Sequence, residues 1–205
     1  LNARVCIASV CVKIPQLTGP GLVGSAKSAA VPPSEFHQTS EVYDVAVTAH
    51  YTGNLGIELP HDAEFDFPSS LLAKSDMYHQ TGMSWEKITT ERLPGGLAGE
   101  SATASPFVLA IKDGLRPVST ATFVGARIGL PDGSIIVSSR TQVILTAFDP
   151  ASGDHVDTGV RDTYFKADGV FTSTSAAGVE SYSPFTLSEG LAEFSFASED
   201  FVHNL

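Results

Sequence analysis

Charged side chains are scarce in this chain. They make up 17% of its 205 residues, against 42% hydrophobic, whereas a soluble domain typically carries roughly 25% charged residues. Basic residues are scarcer still, with 12 Lys and Arg against 23 Asp and Glu and a formal net charge of -11. That balance excludes a stand-alone nucleic-acid binder, which presents a basic patch to phosphates. No apolar run approaches the roughly 18 residues that cross a bilayer as a helix. The longest, Val5 to Ile14, contains Ser9 and Lys13. The chain opens on Leu1 with no basic, apolar and cleavage regions in series, so no signal peptide is read, and localisation is left open. Catalytic signatures are also missing. There is no G-x-S-x-G, P-loop, G-x-G-x-x-G or H-E-x-x-H, and the six histidines stand apart from one another.

Cysteine is limited to Cys6 and Cys11. If Val5 to Ile14 is one strand, their odd spacing puts them on opposite faces. They would then sit roughly 16 Å apart along it, too far to bridge. The expectation is two free thiols that behave as small hydrophobes.

What is abundant is Ser and Thr, 40 residues together, and a supply of 12 Phe and 5 Tyr large enough for a core. Short β-branched runs alternate with Gly, Pro and Asp breakers. This predicts an all-β fold, an antiparallel sandwich or barrel of jelly-roll type with one or two short helices. Residues 1–205 are read as a single domain with an extended Pro/Gly-rich arm at about 15–40. A hairpin is expected over 42–59, a short helix over Ser69 to Tyr78, and either helix or strand over Ala102 to Ile111. From Val118 to Thr172 the spacing predicts a meander of four to five strands. Its turns fall at Leu130-Pro131-Asp132-Gly133, Asp149 to Asp154 and Ala167-Asp168-Gly169. A loop is expected over Thr172 to Gly178, and a strand around Ala192 to Ala197.

The net charge has a layout. No Lys or Arg falls between Lys27 and Lys74, nor after Lys166, and these two segments carry -7 and -6. In the first, Asp62, Glu64 and Asp66 would share one face of an extended chain, with Ala63, Phe65 and Phe67 on the other. Three carboxylates about 7 Å apart are oxygen donors of the kind calcium takes, so these three residues are the candidate calcium cluster. Asp149, Asp154 and Asp157 do not match the spacing of a calcium loop and read as turn formers.

Many short strands, short turns, high Ser/Thr usage and low charge make the chain similar in general character to viral coat proteins with a jelly-roll shell or protruding domain. That resemblance implies a non-catalytic assembly protein, located in a virion, whose partners are other subunits. Two alternatives stand beside it. The segment Ser139 to Asp149, followed by Ser152-Gly153, resembles the late strands of hotdog thioester enzymes, which require a long helix over Gly95 to Ile111. Trp85 and the tyrosines could instead form a stacking platform for a carbohydrate.

Overall fold

The computed structural model describes residues 2–167, 170–174, 184–187 and 193–205. It divides into two compact units, Leu1–Lys112 and Asp113–Leu205. The fold is all-β and antiparallel, with one short helix among the described residues.

Unit 1 contains β1 (Ala3–Ile7), β2 (Val10–Ile14), β3 (Gln16–Leu17), β4 (Val23–Lys27), β5 (Phe36–Gln38), β6 (Tyr43–Val47), β7 (Tyr51–Thr52), β8 (Leu55–Pro60), α1 (Ser69–Leu72), β9 (Asp76–Thr81), β10 (Ser84–Lys87), β11 (Thr89–Leu93), β12 (Gly96–Ser101) and β13 (Pro106–Lys112). One sheet runs β1-β2-β8-β12-β11. The other runs β10-β9-β13-β6-β4, with β5 also on β13. Their inner faces share a core. Strand β8 alternates, so Leu55, Ile57 and Leu59 point inward and meet Val10, Val12, Ile14 and Leu97 from neighbouring strands. Val45, Met77, Phe107 and Leu109 close that core from the second sheet. Each such side chain contributes roughly 1.5–3 kcal/mol when fully buried. Strand β13 is buried on both faces: Val108 and Ala110 lie under Phe36, Val42, Tyr78 and the half-buried Trp85.

Several expectations are corrected here. Val5 to Ile14 is a hairpin, because the chain reverses at Ala8-Ser9, with Ala8 in the left-handed region (φ 52°). Cys6 and Cys11 are thereby directly opposed and form a disulfide. The segment 42–59 is not a hairpin. Strand β6 pairs with β4 and β13, whereas β8 pairs with β2 and β12, so the chain crosses from one sheet to the other between them. The helix expected to Tyr78 stops at Leu72, and Asp76 onward joins the sheet. Gly95 to Ile111 holds β12 and β13 rather than the helix that the hotdog alternative requires. The stretch 15–40 contributes β3, β4 and β5, which pair with β7, β6 and β13 within this unit.

Unit 2 contains β14 (Val118–Val124), β15 (Arg127–Gly129), β16 (Ile135–Val137), β17 (Gln142–Phe148), β18 (Val160–Ala167), β19 (Val170–Thr174), β20 (Phe185–Thr186) and β21 (Phe194–Asp200). They form the sheets β14-β17-β20 and β19-β18-β21 and the separate hairpin β15-β16. The inward residues Val143, Leu145 and Ala147 of β17 are buried. Rings of Phe165, Phe185, Phe194 and Phe196 pack in a chain, the first two stacked at 4.5 Å. Ser119 Oγ donates to Ser198 Oγ at 2.9 Å, and Thr163 Oγ1 lies 2.9 Å from the same oxygen, which links β14, β21 and β18.

The expected meander is therefore broken. The turn at Leu130 to Gly133 forms as read, with Gly133 at φ 87°. After β17, however, the chain does not fold back onto it. Strand β18 pairs with β19 and β21 instead. Asp168 and Gly169 of the third turn lie outside the described residues. So do residues 175–178 of the expected loop, whose first part is β19, and Ala192 of the expected last strand, which runs from Phe194.

Candidate functional site

The segment holding Asp62, Glu64 and Asp66 is a turn rather than a strand. The cause is local: Asp62 Oδ1 accepts the Glu64 amide at 3.0 Å, a bond that bends the chain back on itself. Asp62 and Glu64 come together with Glu41, their carboxylate oxygens within 4.8 Å of one another, while exposed Asp66 is outside the group. A cation already serves this cluster, since Lys27 Nζ lies 2.8 Å from Glu41 Oε1. Pairing with Glu41 raises the Lys27 pKa above its ordinary value, with Glu64 adding to the effect.

A second acidic group lies in unit 2, at residues that the sequence pattern does not join. Asp113 precedes β14, Asp149 follows β17 and Asp200 ends β21. Oxygens of the three carboxylates lie within 4.8 Å of one another. Asp113 and Asp200 have no exposed surface, and Asp149 is half-buried. Each is held by donors. Asp113 accepts Leu115 N at 3.1 Å and Thr158 Oγ1 at 2.8 Å. Asp200 Oδ1 accepts the amides of Val202 and Asn204, and Asn204 Nδ2 donates to Oδ2 at 2.7 Å. Asp149 Oδ2 accepts the amides of Thr158 and Gly159. Its Oδ1 has no hydrogen-bond partner among the described residues and less than 1 Å² of accessible surface.

The charge state follows from this geometry. Burial pushes the Asp149 pKa above the usual carboxylate range, and the backbone amides only partly offset it, while Asp113 and Asp200 raise it further. Burial likewise raises Asp200, with Asp113 adding to it. No lysine or arginine forms an ion pair with Asp149 or Asp200 among the described residues. Neighbouring Asp154 and Asp157, grouped with Asp149 in the sequence, are exposed and outside the cluster.

The histidines that the sequence left as isolated residues include two that are built into unit 1. His79 is buried, stacks on Phe107 with centroids 4.7 Å apart, and contacts Ser105 Oγ through Nε2. Ser105 Oγ donates its own proton to Gln80 O at 2.9 Å, so Nε2–H is the donor to Ser105. In this arrangement the imidazole does not activate the serine as a base would. Burial lowers the His79 pKa, and it lowers that of His61, whose ring sits between Thr39 and Ser75. Both rings act as neutral packing groups. No helix among the described residues is long and apolar enough to cross a membrane.

No family model, curated protein or solved structure matches this chain.

Proposed function

We propose that the protein is a non-catalytic assembly module. Its contacts would run between copies through the outer face of the β14-β17 ribbon and the neighbouring β15-β16 hairpin. The single observation that supports this reading is an exposed face of the β14-β17 ribbon that carries no charged side chain. Val118 stands directly opposite Phe148, both exposed (45% and 55%). Along the same face follow Thr120 opposite Thr146, Thr122 opposite Ile144, and Val124 opposite Gln142. On the hairpin Ile128 opposes Ile136, again both exposed. Solvent-exposed strand faces normally carry polar and charged residues, and contiguous exposed apolar area marks a contact surface.

The occupant is a second copy because of charge. Unit 2 carries 5 Lys and Arg against 12 Asp and Glu, a net of -7. Two copies repel over most of their surfaces, and an uncharged face is where they can approach without placing like charges together. Coat-protein shells and projecting domains are the setting this reading favours, with calcium as a further ligand to be tested.

Native mass measured over a range of concentrations tests it. The expected result is a mass that rises with concentration in the wild type and stays monomeric in Phe148→Asp and Ile136→Asp. Both positions are exposed, so the folded monomer should survive. A wild-type chain that is monomeric at every concentration overturns the proposal.

A further inference from the structure

We infer that Asp113, Asp149 and Asp200 form a binding site for one divalent cation of the calcium type. The inference does not rest on the assembly reading, because it concerns the interior of a single unit 2.

Two observations meet here. The first is the convergence itself. Three carboxylates from distant parts of the chain bring oxygens within 4.8 Å of one another, two of them with no exposed surface. Burying one charge is costly, and burying three of one sign together is more so unless an opposite charge joins them. The second is independent of the clustering. Asp149 Oδ1 is out of contact with water and accepts no hydrogen bond, while Oδ2 of the same carboxylate accepts the amides of Thr158 and Gly159. Buried carboxylate oxygens are normally satisfied, so an orphan one on a member of an acidic cluster calls for a positive ligand. The protein's own hydrogen bonds keep the other oxygens pointed, as outer donors do around metal ligands.

The chemistry favours calcium over other divalent ions. All the donors are carboxylate oxygens, the ligands of hard cations, with no imidazole or thiolate in the cluster. Calcium binds oxygen at about 2.3–2.6 Å, so ligands on opposite sides of one ion lie roughly 5 Å apart. Magnesium at about 2.0–2.1 Å demands a tighter and more regular cage. Asp113 opens unit 2, Asp149 leaves β17, and Asp200 ends β21, so one ion would tie three separate strand ends of the unit.

The test is calorimetric titration of chelator-treated full-length protein with CaCl2 and, separately, MgCl2, together with thermal melts in each. The expected result is one Ca²⁺ per chain, a Tm that rises with Ca²⁺ and saturates, and a weaker response to Mg²⁺. Asp149→Asn keeps an acceptor for Thr158 and Gly159 but removes the charge. It should weaken Ca²⁺ binding by at least about tenfold, as loss of a charged ligand does. In chelator alone it should melt no lower than the wild type, because repulsion is relieved. Asp62→Asn, in the other acidic group, should leave the Ca²⁺ response intact. No binding of either ion at millimolar concentration overturns the inference, and so does a response lost in Asp62→Asn but kept in Asp149→Asn. If the Asp149 variant misfolds, hydrogen exchange on the wild type decides. Ca²⁺ must slow exchange at the amides of Thr158, Gly159, Val202 and Asn204 and leave the Glu64 amide unchanged; equal exchange with and without Ca²⁺ overturns it.

Discussion

Cys6 faces Cys11 across the β1-β2 hairpin with their Cα atoms 4.0 Å apart, and the two are joined by a disulfide. The link closes a two-residue hairpin loop, between Ile7 and Val10, onto the five-stranded sheet through β2. Closing so short a loop restricts the unfolded chain by about 2 kcal/mol. Reduction, or the paired substitution Cys6→Ser with Cys11→Ser, should lower the stability of unit 1 by that amount. A urea midpoint measured with and without reductant checks it; an unchanged midpoint with two titratable thiols would count against it.

A close crossing pins the segment before β4. Gly21 lies against Ala49 so tightly that a Cβ at Gly21 would sit 2.2 Å from the Ala49 Cα and N. Beside it Thr48 N donates to Leu22 O, and Leu22 N donates to Thr48 Oγ1. Gly21→Ala should therefore push this segment away from Thr48 and Ala49, just after β6, and cost about 1–3 kcal/mol. Gly24→Ala is the control, because a Cβ there meets nothing within 4 Å. Hydrogen exchange at Leu22 and Thr48 should accelerate in the first variant and not in the second.

Unit 1 should lose stability in mild acid. His79 and His61 are held neutral, with folded pKa values below their ordinary 6.5. In the window between the lowered and ordinary values the unfolded chain binds more protons than the folded one, so stability rises with pH there. Their contribution is complete above about pH 6.5 and is lost as the pH falls through the folded values, by up to about 1.4 kcal/mol per pH unit for each ring. Denaturant titrations of unit 1 signals from pH 7.5 to 5 should show this slope, and His79→Gln should reduce it. A slope identical in the variant would assign the effect to other groups.

In the chelated protein, Asp149 and Asp200 act with the opposite sign. Their folded pKa values are raised, so their contribution is present below the ordinary carboxylate value and is lost as the pH rises through the folded one. Asp200→Asn should flatten that part of the profile of unit 2. Unfolding curves of chelated protein from pH 3 to 7, followed on unit 2 signals, check it.

Ser198 sits where β14, β18 and β21 meet, its oxygen 2.9 Å from both Ser119 Oγ and Thr163 Oγ1. Ser198→Ala removes the acceptor that Ser119 uses and should cost about 1–3 kcal/mol, the range for stranding a buried hydroxyl. A melt of unit 2 within experimental error of the wild type would show that the hydroxyls find other partners.

Strand patterns were legible where a single strand has one wet and one dry face. Leu55, Ile57 and Leu59 in β8, and the alternation through Val118 to Val124, could be read because period two is a local property. The turn at Asp132-Gly133 was legible for the same reason, since Gly supplies the positive φ that the turn needs. Ala8-Ser9 was not, because it holds no Gly, Pro, Asn or Asp, and the run looked like one strand. Thr52-Gly53-Asn54, the turn implied by the expected 42–59 hairpin, misled in the other direction. It carries turn chemistry, but turn residues do not specify which sheet the next strand joins, and that choice is made by packing Val45 and Leu55 from opposite sides of one core. Of the acidic candidates, Asp62 and Glu64 do meet, but through a turn and with Glu41 rather than Asp66. Asp113, Asp149 and Asp200 share no local pattern, and only the tertiary fold brings them together.

That last arrangement has a consequence for synthesis. Residues 1–112 contain all the strands of their own unit, so that unit can fold as soon as its last strand, β13, clears the ribosome. The second unit must wait. Strand β18 finds its partner β21, and Asp113 its partner Asp200, only when the chain is almost 90 residues further along. Until then the Val118 to Phe148 ribbon is a nascent apolar surface over an incomplete interior, and long-range pairing of this kind forms slowly.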